Sequence, residues 1–591
     1  MNPKHLKLLQ KAQALDLAGN APKAATAYRD FLKKAPLHAA AWADFGGQLL
    51  KLGNLKEAMK ACETAISVDP KLLSAHLNLG SVLMQGDRLE EAERQFRTAL
   101  EMDPGRMDAQ LFLAVCLLDK QDLPEAWKVL EAANQPGVMD GEYSELRPQF
   151  ASLWAKLGVA LFEARQFEKA EEACHQALRI EPGNLTAQAY FGSVRMAMGD
   201  LERAAGLFRQ LVADHPHEIR ARLLLITCLA RTGDPDLTCA EIAKALLLAP
   251  RSFLVHKSVM GPYYSLGRWA EYRAEIERFR KVESGLAYLD YEQSFVDLLF
   301  GDLLQGWERF EARLAVPDGL RPRRTFREPA WRGEAFAGKT LLLWAEQGLG
   351  DTLMCLRYLP MVKALGGRIL LEAQDAVLSV AGTCQGLDGL VPEGELRPPF
   401  DLQASILSLP RIFRTELSTI PDTVPYVRVP ADVSHRRELQ ELLAPARDRT
   451  RIGLVWAGNP AHARDHERSI PPLDLAPLAA LPGVAWFSLQ VGAQELPPLP
   501  DLVSLAPFLG DFADTAYALS ELDLLISVDT SVTHLAGAMG VPTLLLLTHQ
   551  PDYRWMLDRD DSPWYPTLRL YRQPRYGDWE AVLHQMVADL T

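Results

Sequence analysis

The N-terminal part of the chain alternates apolar and polar positions with the period of packed α-helices, and this pattern itself repeats. Prolines fall at positions 36, 70 and 104 and again at 182, 216 and 250, so both sets advance by 34 residues. Small residues recur at two positions of the repeat: Gly46, Gly80, Gly158 and Gly192 at the eighth, and Ala24, Ala58, Ala92, Ala126, Ala170 and Ala204 at the twentieth. Small residues let the two helices of a repeat approach closely, and the proline ends the second helix. The spacing is that of the tetratricopeptide repeat (TPR), and it predicts an α-solenoid of about seven repeats over residues 1–252.

The spacing also predicts two departures from a regular solenoid. The 78 residues between Pro104 and Pro182 equal two repeats plus ten residues, which predicts an inserted loop near 133–148. From 253 to 330 the pattern stays helical but becomes rich in aromatic residues. We interpret 253–330 as a helical connector that caps the solenoid.

The remainder of the chain has a different period. Short apolar runs, separated by segments with helical periodicity, lie at 340–345, 368–373, 452–457, 485–490, 524–528 and 543–548. Such runs are typical of buried parallel strands. A stretch at 421–450, rich in proline and charge, splits them into two sets. The sequence therefore predicts two Rossmann-like α/β halves, 331–450 and 451–591, that face a cleft.

Composition narrows the class of protein and of partner. The 591 residues are 48% hydrophobic, which is ample for sizeable cores, but no apolar run approaches the ~18 residues that span a bilayer. We expect no membrane span and no export signal. The seven cysteines form no CxxC pair, which favours a reducing cytoplasm over a disulfide framework or a zinc site. The net charge of −13 argues against a nucleic-acid partner, so a protein or a small molecule is expected.

Two short motif matches are rejected on their context. The segment 333–340, GEAFAGKT, fits the P-loop pattern, but a P-loop needs a strand before its glycines, whereas here the strand begins at Thr340. The DxD sequence 558–560 lies in a turn-rich segment and is interpreted as solvated surface. No metal site is expected in the cleft.

The glycine turn after the first predicted strand carries a candidate catalytic residue. In WAEQGLGDTLMCLRYL, residues 344–359, Gly348 and Gly350 permit a tight turn and Asp351 starts a helix. Asp351 then lies at the carboxyl end of a strand, where open α/β sheets bind their ligands. Aspartate is also among the best capping residues, so a purely structural role is the alternative.

A second candidate region follows the first strand of the second half. The loop 458–471, GNPAHARDHERSIP, places Asn459 and Arg468 near the carboxyl end of that strand. Opposite charges at this edge suit contacts with phosphate and hydroxyl groups. The alternative is an ordinary solvated loop.

A third region, VDTSVTHLAGAMGVPT at 528–543, joins a strand to a helix. Asp529 follows the strand and can accept hydrogen bonds from sugar hydroxyls. The helix that begins at Thr530, Ser531 and Thr533 offers free amides and a positive dipole end to a phosphate. His534, in the first turn, is expected to act as a donor or packing residue, because the dipole disfavours its protonation.

Taken in order, the motifs EQGLGDT, VWAGNP with RSIP, and SVDTSVTHLAGAMGVPT resemble those of bacterial tetratricopeptide glycosyltransferases. The catalytic part of that family is similar to ADP-heptose heptosyltransferases and, more distantly, to protein O-GlcNAc transferases. The resemblance implies a GT-B fold whose C-terminal half holds the donor nucleotide. It also implies a general base at Asp351 and contacts from Asp529 and Thr530 to the donor sugar and phosphate. Ser531 stands where the heptosyltransferases have glycine.

The function implied by this resemblance is transfer of a sugar from a nucleotide-sugar donor to Ser or Thr hydroxyls of a protein bound by the solenoid. Flagellin is the preferred acceptor, and neither a metal nor another cofactor is implied. The positions of the asparagine ladder with which O-GlcNAc transferases hold peptides are occupied here by Asp44, Asn78, Phe112, Lys156 and Tyr190, so that mode of holding a peptide is not expected. Two alternatives stay open: a lipopolysaccharide or small-glycan transferase, and a non-catalytic TPR scaffold with a degenerate α/β region.

Overall fold

The computed structural model of the chain describes residues 3–134, 144–283, 285–316, 324–460, 462 and 464–591. The chain divides into two compact units, Met1–Thr232 with Ala240–Ala249, and Gly233–Cys239 with Pro250–Thr591. The loop expected near 133–148 falls mainly on 135–143, outside the described residues.

The first unit is built from consecutive helix pairs. The helices up to residue 248 are α1 (Pro3–Leu17), α2 (Ala21–Leu32), α3 (Ala39–Lys51), α4 (Leu55–Val68), α5 (Leu73–Gln85), α6 (Leu89–Met102), α7 (Met107–Asp119), α8 (Leu123–Ala133), α9 (Arg147–Glu163), α10 (Phe167–Ile180), α11 (Leu185–Ala197), α12 (Leu201–Asp214), α13 (Ile219–Thr232) and α14 (Pro235–Leu248). The repeat glycines lie where paired helices touch, since a Cβ on Gly80 would lie 2.5 Å from the Phe96 ring. The TPR solenoid predicted from the sequence is confirmed.

The second unit contains two more helix pairs, and they lie in the segment 253–330 that the sequence analysis interprets as a helical connector. These pairs are α15 (Phe253–Ser265) with α16 (Trp269–Val282), and α17 (Ala287–Leu299) with α18 (Leu303–Phe310). Their turns carry Gly267 and Gly301 in the left-handed region, 34 residues apart like the turn glycines Gly199 and Gly233 before them. The repeat period therefore continues beyond residue 252.

These two pairs are hard to recognise in the sequence because they lack consensus residues of the earlier repeats. Met260 and Tyr272 occupy the eighth and twentieth positions of the α15–α16 pair, where earlier repeats have glycine and alanine. In the α17–α18 pair the small residue is Gly306, whose Cβ would lie 2.6 Å from the Leu298 side chain. In the α17–α18 pair, a small residue therefore still lies where the two helices touch.

The first α/β half contains a four-stranded parallel sheet in the order β3-β2-β1-β4. Its elements are β1 (Thr340–Trp344), α19 (Leu349–Cys355), α20 (Leu359–Ala364), β2 (Arg368–Ala373), α21 (Asp375–Ala381), β3 (Gly389–Pro392), β4 (Leu402–Ser405) and α22 (Leu409–Ile412). The P-loop-like segment precedes β1 rather than following it, in agreement with the rejection of that motif.

The second half contains a six-stranded parallel sheet in the order β10-β9-β8-β5-β6-β7. Its elements are α23 (Arg436–Leu443), β5 (Thr450–Val455), α24 (Asp465–Arg468), β6 (Val484–Ser488), β7 (Val503–Ser504), α25 (Phe512–Ser520), β8 (Leu524–Val528), α26 (Ser531–Met539), β9 (Thr543–Leu547), β10 (Leu568–Arg572) and α27 (Trp579–Leu590). Renumbered from β5, this is the 3-2-1-4-5-6 order of the Rossmann fold. The strand order reverses between β5 and β8, and ligands bind at the carboxyl edge of such a point.

The two halves share one hydrophobic core, which includes Leu343 of β1, Leu545 of β9 and Trp307 of α18. A buried cation also joins them. The Arg357 guanidinium, 3% exposed, donates to the carbonyls of Trp564 (2.5 Å) and Pro421 (3.2 Å). Of the helices in the described ranges, none is both long and apolar enough to cross a membrane.

Candidate functional site

The carboxyl edges of the two sheets meet where α19 packs against α26. Gly350, in the first turn of α19, faces the imidazole of His534 in the first turn of α26. A Cβ on Gly350 would lie 2.5 Å from His534 Cδ2. The motifs GLGD and DTSVTH, far apart in the sequence, therefore form one site between the halves.

Asp351 lies in this site with both carboxylate oxygens engaged. Its Oδ2 accepts from the backbone N–H of Gly348 at 2.8 Å, and its Oδ1 accepts from the guanidinium of Arg554. The helix begins at Leu349, so Asp351 is its third residue, and its bond to the Gly348 N–H is a capping contact of the kind that the structural alternative expects. Burial raises the pKa of Asp351, against the opposing charge of Arg554. A buried carboxylate with a raised pKa is suited to accepting a proton.

In the turn before α19, the residue with a left-handed backbone is not one of the two glycines that were expected to permit the turn. The left-handed residue is Gln347, with φ of 61°, whereas Gly348 has φ of −85° and Gly350 is helical. Gly350 is instead required by the close approach of His534. A non-glycine residue in the left-handed region is uncommon, but Asp87, Gln121 and Arg165 adopt it too, in turns between paired repeat helices.

Replacing Gly350 by alanine is expected to destabilise the second unit by about 1–3 kcal/mol, because the added methyl group would overlap the His534 ring. Gly206, a helical glycine with open space around its Cβ, is the control, and its alanine variant should gain up to about 1 kcal/mol. Calorimetric unfolding of both variants tests the contact. An unchanged or raised unfolding temperature for Gly350→Ala would contradict this packing of α19 on α26.

Arg468 connects the loop after β5 to the end of β8. Its Nη1 donates to the backbone oxygen of Asp529 at 3.0 Å, and its Nε donates to Asp465 at 3.1 Å. Asp465 also accepts from Ser469, so the loop is fixed at the reversal point of the sheet. Asn459 is exposed on this loop, and its carbonyl accepts from the backbone N–H of His462.

The three predicted binding residues at the start of α26 differ from one another in their surroundings. Thr530 is the N-cap residue, and its Oγ1 is buried without a hydrogen-bond partner in the described part of the chain. Ser531 is half-buried at the first helical position. Thr533 is fully buried and donates to Ser527 Oγ and to the Val528 carbonyl, both at 2.8 Å. The prediction that Thr533 binds the donor is wrong, because its hydroxyl joins the helix to the strand before it.

His534 is held as a neutral ring. Its Nδ1 lies 2.8 Å from the Tyr565 hydroxyl, and its Nε2 lies 3.9 Å from Asp529 Oδ1. Burial, with the positive charges of Arg554 and Arg357 nearby, holds its pKa well below the ordinary value. Burial also raises the pKa of Asp529, and the neighbouring Asp552 adds to that rise.

The loop after β9 completes the site, and the sequence reasoning missed it. Arg554 lies there, 9% exposed, and its Nη1 donates to Asp552 at 2.6 Å. The loop, HQPDYRW at 549–555, follows the carboxyl end of a predicted strand, the signal that identified the other loops. It could have been found by applying the same rule to the strand at 543–548.

The repeat-like helices hold two of these loops. At the end of α15, the Tyr264 hydroxyl donates to the Pro551 carbonyl at 2.9 Å, and Ser265 Oγ donates to Glu467 at 2.9 Å. Arg464 stacks over the Tyr264 ring at 4.5 Å and donates to the Gln550 carbonyl at 3.2 Å. The α15–α16 pair is therefore part of the support of the site.

A cavity of about 900 Å³ lies at the carboxyl ends of β1 and β4, on the first half. Its wall includes a buried Arg313, which pairs with Glu346 and Glu311, each at 2.7 Å. Aromatic residues contribute to the lining, as does Gln347 of the turn before α19. The cavity thus reaches the loop that carries Asp351.

The arrangement suits an organic ligand with phosphate and hydroxyl groups. Within the described ranges, His, Cys, Asp and Glu side chains form no group of three that could hold a metal ion. Arginines at 468 and 554 can bind phosphate, and carboxylates at 351 and 529 can accept hydrogen bonds from hydroxyls.

Comparison with known proteins identifies the repeats. Three tetratricopeptide-repeat families match the chain, over residues 9–71 with 77–138, 195–237, and 151–184. Protein FlbA of Caulobacter vibrioides is 26% identical over 400 residues, covering 62% of this chain and 65% of FlbA. The chain thus spans about two-thirds of the length of that relative.

Solved structures similar to the chain include two that are described as TPR proteins. The C-terminal part of a TPR protein from Cytophaga hutchinsonii is 17% identical and covers 42% of this chain and 98% of its own, with a TM-score of 0.36. YrrB, described as a TPR protein with an unusual peptide-binding site, is 17% identical and covers 33% of this chain and 96% of its own, with a TM-score of 0.28. The N-terminal part of the chain consists of tetratricopeptide repeats, and parallel α/β sheets follow them.

Proposed function

We propose that this protein is a metal-independent GT-B glycosyltransferase that moves a sugar from a nucleotide-sugar donor to Ser or Thr hydroxyls of a protein bound by its repeats. One observation carries the proposal. Asp351, at the carboxyl edge of the first sheet, lies in one site with the Asp529–His534 segment, at the reversal point of the second. Two sheets that face each other across their ligand-binding edges suit a reaction between two substrates.

The chemical step forms one bond and breaks one. The acceptor hydroxyl transfers its proton to the Asp351 carboxylate while its oxygen bonds to the anomeric carbon of the sugar. The bond from that carbon to the donor phosphate breaks, and the nucleoside diphosphate leaves with the electron pair. Donors at Arg468 and at the start of α26 stabilise the charge that develops on the phosphate. The neutral His534 can donate a hydrogen bond from Nε2 without adding a charge.

The acceptor enters from the first half in this proposal. The cavity at β1 and β4 lies beside the Asp351 loop, and aromatic side chains with paired charges suit a polypeptide segment. The repeats raise the local concentration of the acceptor at the site. Flagellin is the acceptor to test first.

A non-catalytic TPR scaffold is the second candidate. It is favoured by the engagement of both Asp351 oxygens, because bonds from the Gly348 N–H and the Arg554 guanidinium give the carboxylate a structural role in this state. A scaffold would bind proteins through its repeats and would bind no nucleotide sugar.

Intact-mass spectrometry discriminates between these functions. A candidate acceptor is co-expressed with the wild-type protein, with an Asp351→Asn variant, or alone. A mass increase of one sugar residue only with the wild-type protein would support the transferase. An unmodified acceptor, together with no binding of any nucleotide sugar in calorimetry, would support the scaffold function.

Truncation is expected to separate recruitment from donor binding. Residues 233–591 contain the whole second unit and should bind the nucleotide sugar as the full chain does, but they should not modify a protein acceptor. Residues 286–591 lack Tyr264 and Ser265 and should lose donor binding, because the loops held by these residues are released. Calorimetry and intact mass measure the two activities. Protein modification by 233–591 at the full rate would contradict recruitment by the repeats.

Chelation is expected to leave activity intact. Sugar transfer measured with excess EDTA should stay within about twofold of the untreated rate, because charge on the leaving phosphate is balanced by arginines in this proposal. Loss of activity with rescue by Mn²⁺ or Mg²⁺ would show that the phosphate is bound through a cation instead.

A further inference from the structure

Arg554 has contacts that a purely structural ion pair does not explain. Its guanidinium contacts two carboxylates, Asp351 on the first half and Asp552 on its own loop. It is nine-tenths buried, and yet its Nε has no hydrogen-bond partner in the described chain. A buried donor left without a partner carries a free-energy cost, which a ligand can remove.

Neighbouring donors are unsatisfied as well. The hydroxyl of Tyr553, which is 3% exposed and adjacent in the loop, has no partner among the described residues. The same is true of Thr530 Oγ1 at the start of α26. The Arg554 guanidinium also lies close enough to His534 and Asp529 to affect the pKa of each. These donors favour a ligand rich in acceptor oxygens, such as a diphosphate.

We propose that Arg554 is a phosphate-binding residue that, in the free protein, forms a latch on Asp351. The inference rests on the proposed function, because it names the donor diphosphate as the group that takes Arg554 from Asp351. Phosphate oxygens replace the Asp351 carboxylate on the guanidinium, and the carboxylate becomes available to an acceptor hydroxyl. The base is thus released only when the donor is bound, which keeps it from acting on an empty site.

The latch predicts that one substitution, Asp351→Asn, strengthens the binding of diphosphate. In the wild-type protein the diphosphate must compete with Asp351 for Arg554, which lowers its apparent affinity. Asp351→Asn removes that competing charge, so it should tighten diphosphate binding by about 5- to 50-fold. Arg554→Gln should weaken the same binding by roughly 10- to 100-fold. In the Arg554→Gln background, Asp351→Asn should have no further effect.

The test uses the full chain and calorimetry with two probes, inorganic pyrophosphate and a panel of nucleoside diphosphates. The control for Asp351→Asn is Asp375→Asn, an exposed acid in the first turn of the helix after β2. The control for Arg554→Gln is Arg559→Gln, whose arginine pairs with Asp561 on the same segment. Arg554→Lys keeps the charge and should retain part of the affinity, which separates loss of binding from loss of folding.

Tighter pyrophosphate binding by Asp351→Asn, abolished in the double variant, supports the latch. Unchanged or weaker binding by Asp351→Asn overturns it, as does the absence of pyrophosphate binding to both wild type and Asp351→Asn. If pyrophosphate follows the predicted pattern but no nucleoside diphosphate or nucleotide sugar binds, the proposed function fails and the anion site stands. If nucleotide sugars bind and Asp351→Asn leaves pyrophosphate affinity unchanged, the function stands and the latch fails.

Discussion

Asp351→Asn is expected to slow sugar transfer by about 10²–10⁴-fold, the range by which a general base contributes to catalysis. Asparagine keeps an oxygen that can accept from the Gly348 N–H, so the turn before α19 should survive the change. It cannot accept a proton from the acceptor hydroxyl. Single-turnover transfer to the acceptor, followed by intact mass, measures the effect on the chemical step.

The pH dependence of the wild-type rate provides an independent test of Asp351 as the general base. A general base works in its ionised form, so the rate should fall as the pH drops through the pKa of Asp351, which burial raises. Asp351→Asn should remove this limb of the profile. Near-normal turnover in that variant would return Asp351 to a structural role at the start of its helix, and the Asp375→Asn control should leave the rate unchanged.

Arg357→Met is expected to destabilise the second unit by roughly 3–5 kcal/mol, which corresponds to a fall of about 4–7 °C in its unfolding temperature. Methionine fills much of the volume but has no donor. The buried carbonyl of Trp564 and the partly buried carbonyl of Pro421 would then lose their donor, and such a loss costs about 1–3 kcal/mol at a buried group. The guanidinium also stacks on the Tyr565 ring at 4.7 Å, a contact that joins the two halves.

Differential scanning calorimetry of the full chain measures this change as a shift in the transition that Gly350→Ala also affects. Arg447→Met, at an exposed arginine on the segment between the halves, is the control and should change the stability by less than about 0.5 kcal/mol. A loss of less than about 1 kcal/mol for Arg357→Met would show that water satisfies these carbonyls and that the arginine does not fasten the halves.

The central strands of both sheets were predictable, whereas the edge strands were not. The apolar runs at 340–345 and 543–548 became β1 and β9, because a strand covered on both faces must be apolar at nearly every position. The strands missed by the sequence reasoning, β3, β4, β7 and β10, are the outer strands of the two sheets. An outer strand such as β7, with two residues, leaves too little hydrophobic pattern to detect.

The candidate site also has one part that the sequence predicted and another that it did not. Asp351 and Asp529 were identified because each follows an apolar strand, and the carboxyl end of a parallel strand is a position that the local sequence marks. Thr533 follows the same strand as Asp529, but its hydroxyl already donates a hydrogen bond to the Val528 carbonyl. Which hydroxyls at a strand end stay available depends on the packing of the helix, which local sequence does not specify.

The sequence by itself determined the repeat period, the order of the α/β halves and the strand ends where ligands would bind, because each depends on the spacing of apolar and small residues within a few turns or one strand. The tertiary structure alone decided that Arg554 meets Asp351 across 203 residues of chain. It also decided that Gly350 must be small to admit His534, and that α15 holds the loops of the second half. Such contacts are fixed by the packing of one element against another, and no local pattern of hydrophobic and polar residues encodes which side chains will face each other there.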